Sequence, residues 1–390
     1  MSAQFPFPAR SGFETRVYQL ARQLASRHDV TLLSYVEPGR QDDVERLREH
    51  LGVEVVQRDQ TSRALKRASQ LLSALSPQPF TFRAIHSRAM QEAIDALCSS
   101  RHFDVIQLES SVLRAFRFPA APKLLLDSHN VEYEVLERIH AGERSLPRRA
   151  FGRLEYLRYR RYERRLWRQA DGCALTSERE EQIVRAHAPG TPTAVVPNGV
   201  DLEYFHPNQL QSEPNTAVFN GVLDYRPNLD AAYYLVDELW PRVLDRFPSA
   251  QLTIVGRAGP LEISRLQRPG VAVTGQVPDV RPYLAKAAVV LVPIRMGGGT
   301  RLKVVEGLAM GKPMVSTSLG CEGVNVQDEE HLLVADAPGP FTTAVQRLFE
   351  DRSLAAALGR AGRSRMEQEY SWDLAGARLD DLYGRLLAGA

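Results

Sequence analysis

Short runs of β-branched residues alternate with longer amphipathic stretches along nearly the whole chain, and this alternation constrains the fold more than any other feature. A helix between two strands carries the chain back to the starting end of the sheet, so the pattern predicts βα units and mainly parallel sheets. In the first half the strand candidates are Asp29–Tyr35, Val53–Gln57, Asp104–Leu108, Lys123–Asp127, Gly172–Thr176 and Thr193–Val196. In the second half they are Ala217–Asn220, Gln251–Val255, Val271–Thr274, Val289–Pro293 and Pro313–Ser316. Gly12–Ser26 reads as a helix, with Val17, Leu20, Ala21 and Leu24 at helical spacing and Ser11 and Glu14 fitting a capping box. The stretch 198–215 is rich in Asn, Pro and Gly and has no sustained period, so it reads as a linker between two halves that share the βα pattern. The expected organisation is an N-terminal domain over 1–198, a linker over 199–214, a second domain over 215–370 and a C-terminal segment over 371–390. The expected fold class is α/β, with two doubly wound domains facing each other across a cleft, because ligands of such sheets bind beyond the carboxyl ends of the strands. A domain of this kind opens with a short apolar strand, yet Gln4–Pro8 already looks like the loop that follows one. The first strand is therefore either missing or reduced to a few residues.

Composition excludes several classes. Apolar residues make up 44% and charged residues 25% of the 390, which argues against disorder, collagen and a coiled coil. No apolar run approaches the ~18 residues that span a bilayer. The start, MSAQFPFPARSG, lacks a basic residue cluster followed by an apolar segment, so no secretory signal is expected. Cys98, Cys173 and Cys321 are far apart and odd in number, which predicts neither a metal site nor a disulfide framework and suits a reducing cytosol. A net charge of +2 gives no reason to expect nucleic acid as a partner.

The strongest local signal runs from Gly297 to Pro313, GGGTRLKVVEGLAMGKP. It follows an apolar strand candidate and opens a helix. Glycines 297–299 permit close backbone approach to a ligand and positive φ. The free N–H groups and dipole of the helix start favour an anion. Arg301 and Lys303 add cations where a helix alone would disfavour them, so an anionic ligand accounts for their presence. Glu306, one turn on, could accept hydrogen bonds from ribose hydroxyls. The Gly-Lys-Ser/Thr ending of a Walker loop is absent.

Thr300–Pro313, with Met314–Thr317 and Gly320, resembles the donor-binding motif of retaining glycosyltransferases of family 4, which have the GT-B fold of two Rossmann-like domains. Further segments agree with the resemblance: Val196–Asp201, Phe219–Gly221 with Asp224–Asp230, Leu252–Arg257, Gly275–Pro282, the Ser11–Arg16 turn and Asp127–Glu132. The resemblance implies transfer of a sugar, with retention at the anomeric carbon, from a nucleoside-diphosphate sugar to a glycan or lipid-linked acceptor. It implies no metal and no other cofactor, and it suits the absence of an Asp-x-Asp motif. Arg301, Lys303 and Arg226 carry over as diphosphate ligands, stabilising charge on the leaving group. Gly298, Gly299 and Thr300 carry over as the turn against the donor, and Glu306 as the ribose ligand. His129, just after a strand, carries over as a contact to the donor sugar or reacting carbon, and Gly12 as a close backbone approach to the diphosphate. Two departures stand out. Phe13 occupies a position where relatives often have a second glycine, and Gly298 one where many have a carboxylate, with seven residues between it and the equivalent of Glu306.

The stretch Arg144–Arg168 holds ten arginines, with Tyr156, Tyr159, Tyr162 and Trp167 interleaved. It reads either as a cationic helix lying on an anionic inner membrane leaflet, or as an exposed helix that buries Leu154, Leu157, Tyr162 and Leu166. Tyr370–Trp372 and the segment to Leu387 read as a capped helix, which in relatives crosses back to the first domain. Together these expectations describe a cytoplasmic enzyme of bacterial polysaccharide or glycoconjugate biosynthesis, peripheral to the inner membrane if the arginine helix docks there. A non-catalytic sugar-nucleotide or polysaccharide-binding partner in a surface-polymer assembly is the alternative that Gly298 keeps open. A nicotinamide-dependent enzyme is disfavoured because no Gly-x-Gly-x-x-Gly run opens a helix near the start.

Overall fold

The computed structural model describes residues 1–58, 76, 78–141, 145–207 and 212–389. Arg144, the first residue of the basic stretch, and residues 208–211 of the expected linker lie outside the described residues. The chain forms two compact units, Met1–Pro197 with Trp372–Ala390, and Asn198–Ser371. The stretch 199–207 packs in the second unit, where Val200 N–H donates to the Tyr370 carbonyl at 2.6 Å.

In the first unit, β1 (Thr31–Val36) pairs with β2 (Gly52–Gln57), and β3 (Val105–Glu109), β4 (Lys123–Ser128), β5 (Gly172–Leu175) and β6 (Thr193–Val195) follow in order, all parallel. Residues 1–3 join the two groups. Ser2 bridges Ser34 on one side and Glu109 on the other, its N–H donating to Leu33 O at 2.9 Å, while Glu109 N–H donates to Met1 O at 3.0 Å. Residues 1–3 thus lie at the centre of the sheet. Helix α1 (Gly12–Ala25) buries Val17, Leu20 and Leu24, as its spacing predicts. Ser11 Oγ accepts from Glu14 N–H, but the Glu14 carboxylate reaches Arg10 N–H at 2.5 Å, one residue further back than a capping box requires. Helices α2 (Glu132–Ala141) and α3 (Leu146–Gln169) fill the crossover from β4 to β5. The helix Trp372–Ala388 belongs to this unit, with Asp373 accepting from Gln23 and Asp380 from Arg27.

The outcome for α3 corrects one expectation. Tyr156, Tyr159, Leu166 and Trp167 are buried, but Leu157 is 47% exposed rather than buried. The two acids of α3 turn inward. Glu163 accepts from the N–H groups of Glu132 and Tyr133 at 3.2 and 3.1 Å, capping the start of α2 from outside, and Glu155 accepts from Phe80 N–H at 2.7 Å. The outer face, with Arg148, Arg149, Arg153, Arg161, Arg165 and Arg168 exposed, is left cationic.

In the second unit one parallel sheet is built from β7 (Thr216–Asn220), β8 (Gln251–Val255), β9 (Val271–Val273), β10 (Val289–Val292), β11 (Met314–Ser316) and β12 (Leu333–Val334). The order is β12-β11-β10-β7-β8-β9. Strands after β7 first build outward on one side, and from β10 on the other, so the direction of winding reverses between β7 and β10. That is where loops diverge and leave a crevice. Helix α4 (Arg226–Tyr234) follows β7, and α5 (Leu302–Ala309) follows β10. The central strands are buried on both faces, Val289–Val292 without exception, which is why they read as apolar runs rather than alternating ones.

The loops that follow β7 and β8 require close backbone approach. A Cβ on Gly256, at the end of β8, would lie 1.8 Å from the carbonyl oxygen of Gly221, at the end of β7. Nothing flexible can give way there, since the obstacle is backbone. Gly256→Ala is expected to destabilise the second unit by about 3 kcal/mol or more, at the upper end of overpacking costs. The check is chemical denaturation followed by tryptophan fluorescence. An unchanged midpoint would mean that the two loops do not meet this closely.

Candidate active site

The second unit brings most of the expected anion-binding residues to the β7–β10 crevice. Gly297 and Gly299 have φ of +97° and +75°, while Gly298 does not share their positive φ. The turn is braced at its start by Arg295, which grips both oxygens of Asp230 at 3.1 Å and lies 3.9 Å from the Tyr234 ring centroid. Thr300 is buried, its carbonyl accepting from Asn198 Nδ2 at 3.2 Å and its Oγ1 facing Gly323 O at 3.4 Å. Arg301 immediately precedes α5. Its guanidinium folds back to donate to the carbonyls of Gly298 and Gly299.

Lys303 is the buried cation of the crevice. Its Nζ donates to Asn228 Oδ1 at 2.8 Å and sits 4.3 Å from the Phe219 ring centroid. Asn228 in turn donates to Val222 O at 2.9 Å, which fixes the amide orientation. Gly221 leaves room for the ammonium, since a Cβ there would lie 2.7 Å from Nζ. An ammonium has three donors, and only one finds a partner among the described residues. Burial, reinforced by Arg301, pushes Lys303 down to about 7. Burial pushes Glu306 up to about 7 against the pull of Lys303. Nearby, Asn220 Oδ1 is buried with no partner among the described residues. Arg226 opens α4 but is exposed, and it is Asn228, two residues on, that reaches Lys303. Asn228 escaped the sequence reading because its partner lies 75 residues away.

The first unit gathers a second polar cluster at the carboxyl ends of β3 and β4. His129 Nε2 lies 2.9 Å from Glu109 Oε2 and 3.6 Å from Asp127 Oδ2. Asp127 is held by Arg16, whose Nε and Nη2 donate to its two oxygens at 3.0 and 2.7 Å, with Nη1 donating to Val196 O at 2.8 Å. Both members of this pair are fully buried. The Gly12–Phe13 turn meets His129 directly, with ring centroids of Phe13 and His129 4.7 Å apart. Phe13 therefore fills the room a second glycine would leave. Glu109, Asp127 and His129 each offer one ligand atom within 4.8 Å of the others, a spacing a metal could use, but Arg16 already occupies both oxygens of Asp127. Glu109 was not singled out from the sequence, where nothing marks an acid at a strand end as the partner of a histidine twenty residues later.

Two parallel doubly wound units, one with a glycine turn and buried lysine at its switch point, define the GT-B class. Residues 11–199 match the glycosyl transferase 4-like domain, and residues 214–351 match the glycosyl transferases group 1. The chain belongs to the group 1 glycosyltransferases of the GT-B fold. It is 29% identical, over 48% of its length, to a GDP-mannose-dependent monoacylated alpha-(1-6)-phosphatidylinositol monomannoside mannosyltransferase of Corynebacterium glutamicum. It is 29% identical over 53% of its length to a GDP-mannose-dependent alpha-(1-6)-phosphatidylinositol monomannoside mannosyltransferase of Mycobacterium tuberculosis. The chain spans 55% and 60% of these two relatives. In fold it resembles sucrose-phosphate synthase of Thermosynechococcus elongatus, with a TM-score of 0.76 at 20% identity, covering 100% of this chain and 99% of that one. It also resembles HepE of Anabaena in complex with UDP-glucose, with a TM-score of 0.69 at 14% identity, covering 98% and 99%.

The Arg16–Asp127 pair allows a direct test. Arg16→Met leaves a carboxylate buried without its partner, which costs about 3–5 kcal/mol. The double variant Arg16→Met/Asp127→Leu is expected to recover most of that loss. Urea titration of both proteins checks it, and equal stability of Arg16→Met and the unaltered chain would contradict the buried pair.

Proposed function

We propose that the protein is a retaining glycosyltransferase that moves a sugar from a nucleoside-diphosphate sugar to an acceptor hydroxyl, without a metal ion, in bacterial polysaccharide or glycoconjugate synthesis. The observation that carries this reading is Lys303, a buried cation with spare donors beside a glycine turn and one turn from the half-buried carboxylate of Glu306. In the reaction an acceptor oxygen replaces the phosphate oxygen on the anomeric carbon. The nucleoside diphosphate leaves with the bonding electrons, and the acceptor proton leaves with it or passes to solvent. Lys303 receives the developing charge, helped by turn amides and by Arg226 from the start of α4. Glu306 accepts from ribose hydroxyls, and His129 offers a ring nitrogen to a sugar hydroxyl. Gly12 allows backbone to approach the donor. The names of the relatives support a nucleotide-sugar donor: two use GDP-mannose, and HepE is found with UDP-glucose.

A bound diphosphate holds Lys303 protonated, whereas in the free protein it loses its proton near pH 7. Binding above that pH therefore takes up a proton, and affinity is expected to fall by up to about tenfold per pH unit from 7 to 9. Calorimetry with UDP, GDP and ADP measures this. Glu306→Ala should weaken binding about ten- to a hundredfold, the value of hydrogen bonds to a charged group. Lys303→Met should flatten the alkaline limb, and EDTA should leave turnover unchanged. Absence of binding by all three nucleotides would remove the reading. Binding without hydrolysis or transfer of any donor would favour the non-catalytic sugar-nucleotide partner that the glycine at position 298 suggests.

The acceptor side is extended by α3. Its exposed arginines, with Leu146 75% and Leu157 47% exposed and both its acids turned inward, suit an anionic bilayer carrying a lipid-linked acceptor. Among the described residues no helix is long and apolar enough to cross a membrane, and the contact proposed is a peripheral one. Each basic group near such a surface contributes about 1 kcal/mol. The chain should sediment with phosphatidylglycerol vesicles and not with phosphatidylcholine ones, and Arg149→Glu/Arg161→Glu/Arg165→Glu should abolish this while sparing nucleotide binding. Equal sedimentation of the triple variant would rule out α3 as the contact.

A further inference from the structure

The His129 ring is held on three sides, and the arrangement says which of its nitrogens is available. Glu109 has both carboxylate oxygens engaged, Oε1 by Gln107 Nε2 at 2.6 Å and Oε2 by His129 Nε2 at 2.9 Å. Burial raises the Glu109 carboxyl, but the hydrogen bond and charge of His129, together with the N-terminal ammonium and the hydrogen bond from Gln107, leave the group below its usual range. An ionised carboxylate only accepts, so the hydrogen in this bond sits on the imidazole. Phe13 covers one face of the ring. The side chain is 8% exposed, and Nδ1 has no partner among the described residues, although it is not sealed from solvent.

We propose that Glu109 is a positioning residue that commits the Nε2 hydrogen of His129, leaving Nδ1 as the ring atom presented to a substrate hydroxyl. The substrate half of this statement rests on the glycosyltransferase reading, and the tautomer half does not. With Nε2 committed in either charge state, the neutral ring presents a lone pair at Nδ1 and accepts the hydroxyl hydrogen. Asp127, 3.6 Å away, reinforces the same choice of nitrogen, but its oxygens are filled by Arg16, so Glu109 makes the directional bond. The arrangement is a histidine oriented from behind by a carboxylate, as occurs where a ring nitrogen must meet a ligand in one protonation form.

The experiment is long-range proton–nitrogen correlation on the full chain labelled with 15N-histidine, with the His129 signals assigned by their loss in His129→Asn. At a pH where the ring is neutral, the expected spectrum is that of the Nε2–H form. An Nδ1–H ring in the unaltered chain overturns the proposal. Glu109→Met should divide the ring between both forms, and an unchanged spectrum in a folded Glu109→Met protein removes the role of Glu109. A kinetic comparison provides a second readout should that variant not fold. His129→Asn places an amide oxygen near the Nδ1 position, whereas His129→Gln places its amide near Nε2. His129→Asn should retain about tenfold more kcat/KM for the nucleotide sugar than His129→Gln, and the reverse order overturns the proposal. A protein with no turnover on any donor would count against the glycosyltransferase reading, while the spectrum still decides the tautomer.

Discussion

The buried fork of Arg16 on Asp127 is the interaction on which the polar edge of the first unit, at the ends of β3 and β4, depends. Arginine cannot shed its charge on burial, so it must be paired completely or not buried at all. Here it is paired completely, by two carboxylate oxygens and the Val196 carbonyl. Those partners come from the end of β4 and the residue after β6, and Arg16 itself from the first turns of α1. One side chain thus fixes the helix start relative to two strand ends. The position of Phe13 over His129 follows, because Phe13 is one turn ahead of Arg16 on the same helix. Asp127 and His129 leave β4 together, so a shift of the ion pair would move the imidazole as well.

The second unit buries a cation on different terms. Arg16 is saturated by protein, whereas Lys303 meets one amide oxygen and an aromatic face. A saturated ion is a structural element, since its desolvation is repaid within the fold. An undersupplied one leaves the fold with an uncompensated cost that an arriving anion relieves. The lowered value of Lys303 and the raised value of Glu306 are two sides of this condition, each group favouring its neutral form until a ligand supplies what burial removed.

Much of this was legible in the sequence because parallel strands covered on both faces leave continuous apolar runs. Val289–Val292 and Gly172–Leu175 could not be mistaken for helix at that length, and their observed bounds fall within a residue or two of expectation. Leu333–Val334 was missed because two residues carry no period. The central element at residues 1–3 was hidden for the same reason, and its effect is to bridge β1 and β3 without a run of its own. The glycine turn and Lys303 were visible because their residue types are rare in that combination. Their supports were not: Asn228 and Glu109 are ordinary polar residues whose meaning comes from partners brought near only by folding. Leu157 was read as buried because helical spacing gives the period of a face but not how far that face extends around the helix.

The glycine at 298 can be understood from the peptide geometry of its turn. Arg301 takes the carbonyls of Gly298 and Gly299 as its partners. In a trans peptide the C=O and N–H point in opposite directions, so the N–H groups of Gly299 and Thr300, which share those peptides, face away from Arg301. A cation that draws carbonyls to one side thereby turns amide hydrogens to the other. In the proposed reaction, donor recognition passes from an acidic side chain to oriented backbone, and Arg301 acts on the ligand through the turn rather than by direct contact. Gly298 and the inward fold of Arg301 belong to the same turn, and the positive φ values at Gly297 and Gly299 shape the backbone that presents those carbonyls to the guanidinium.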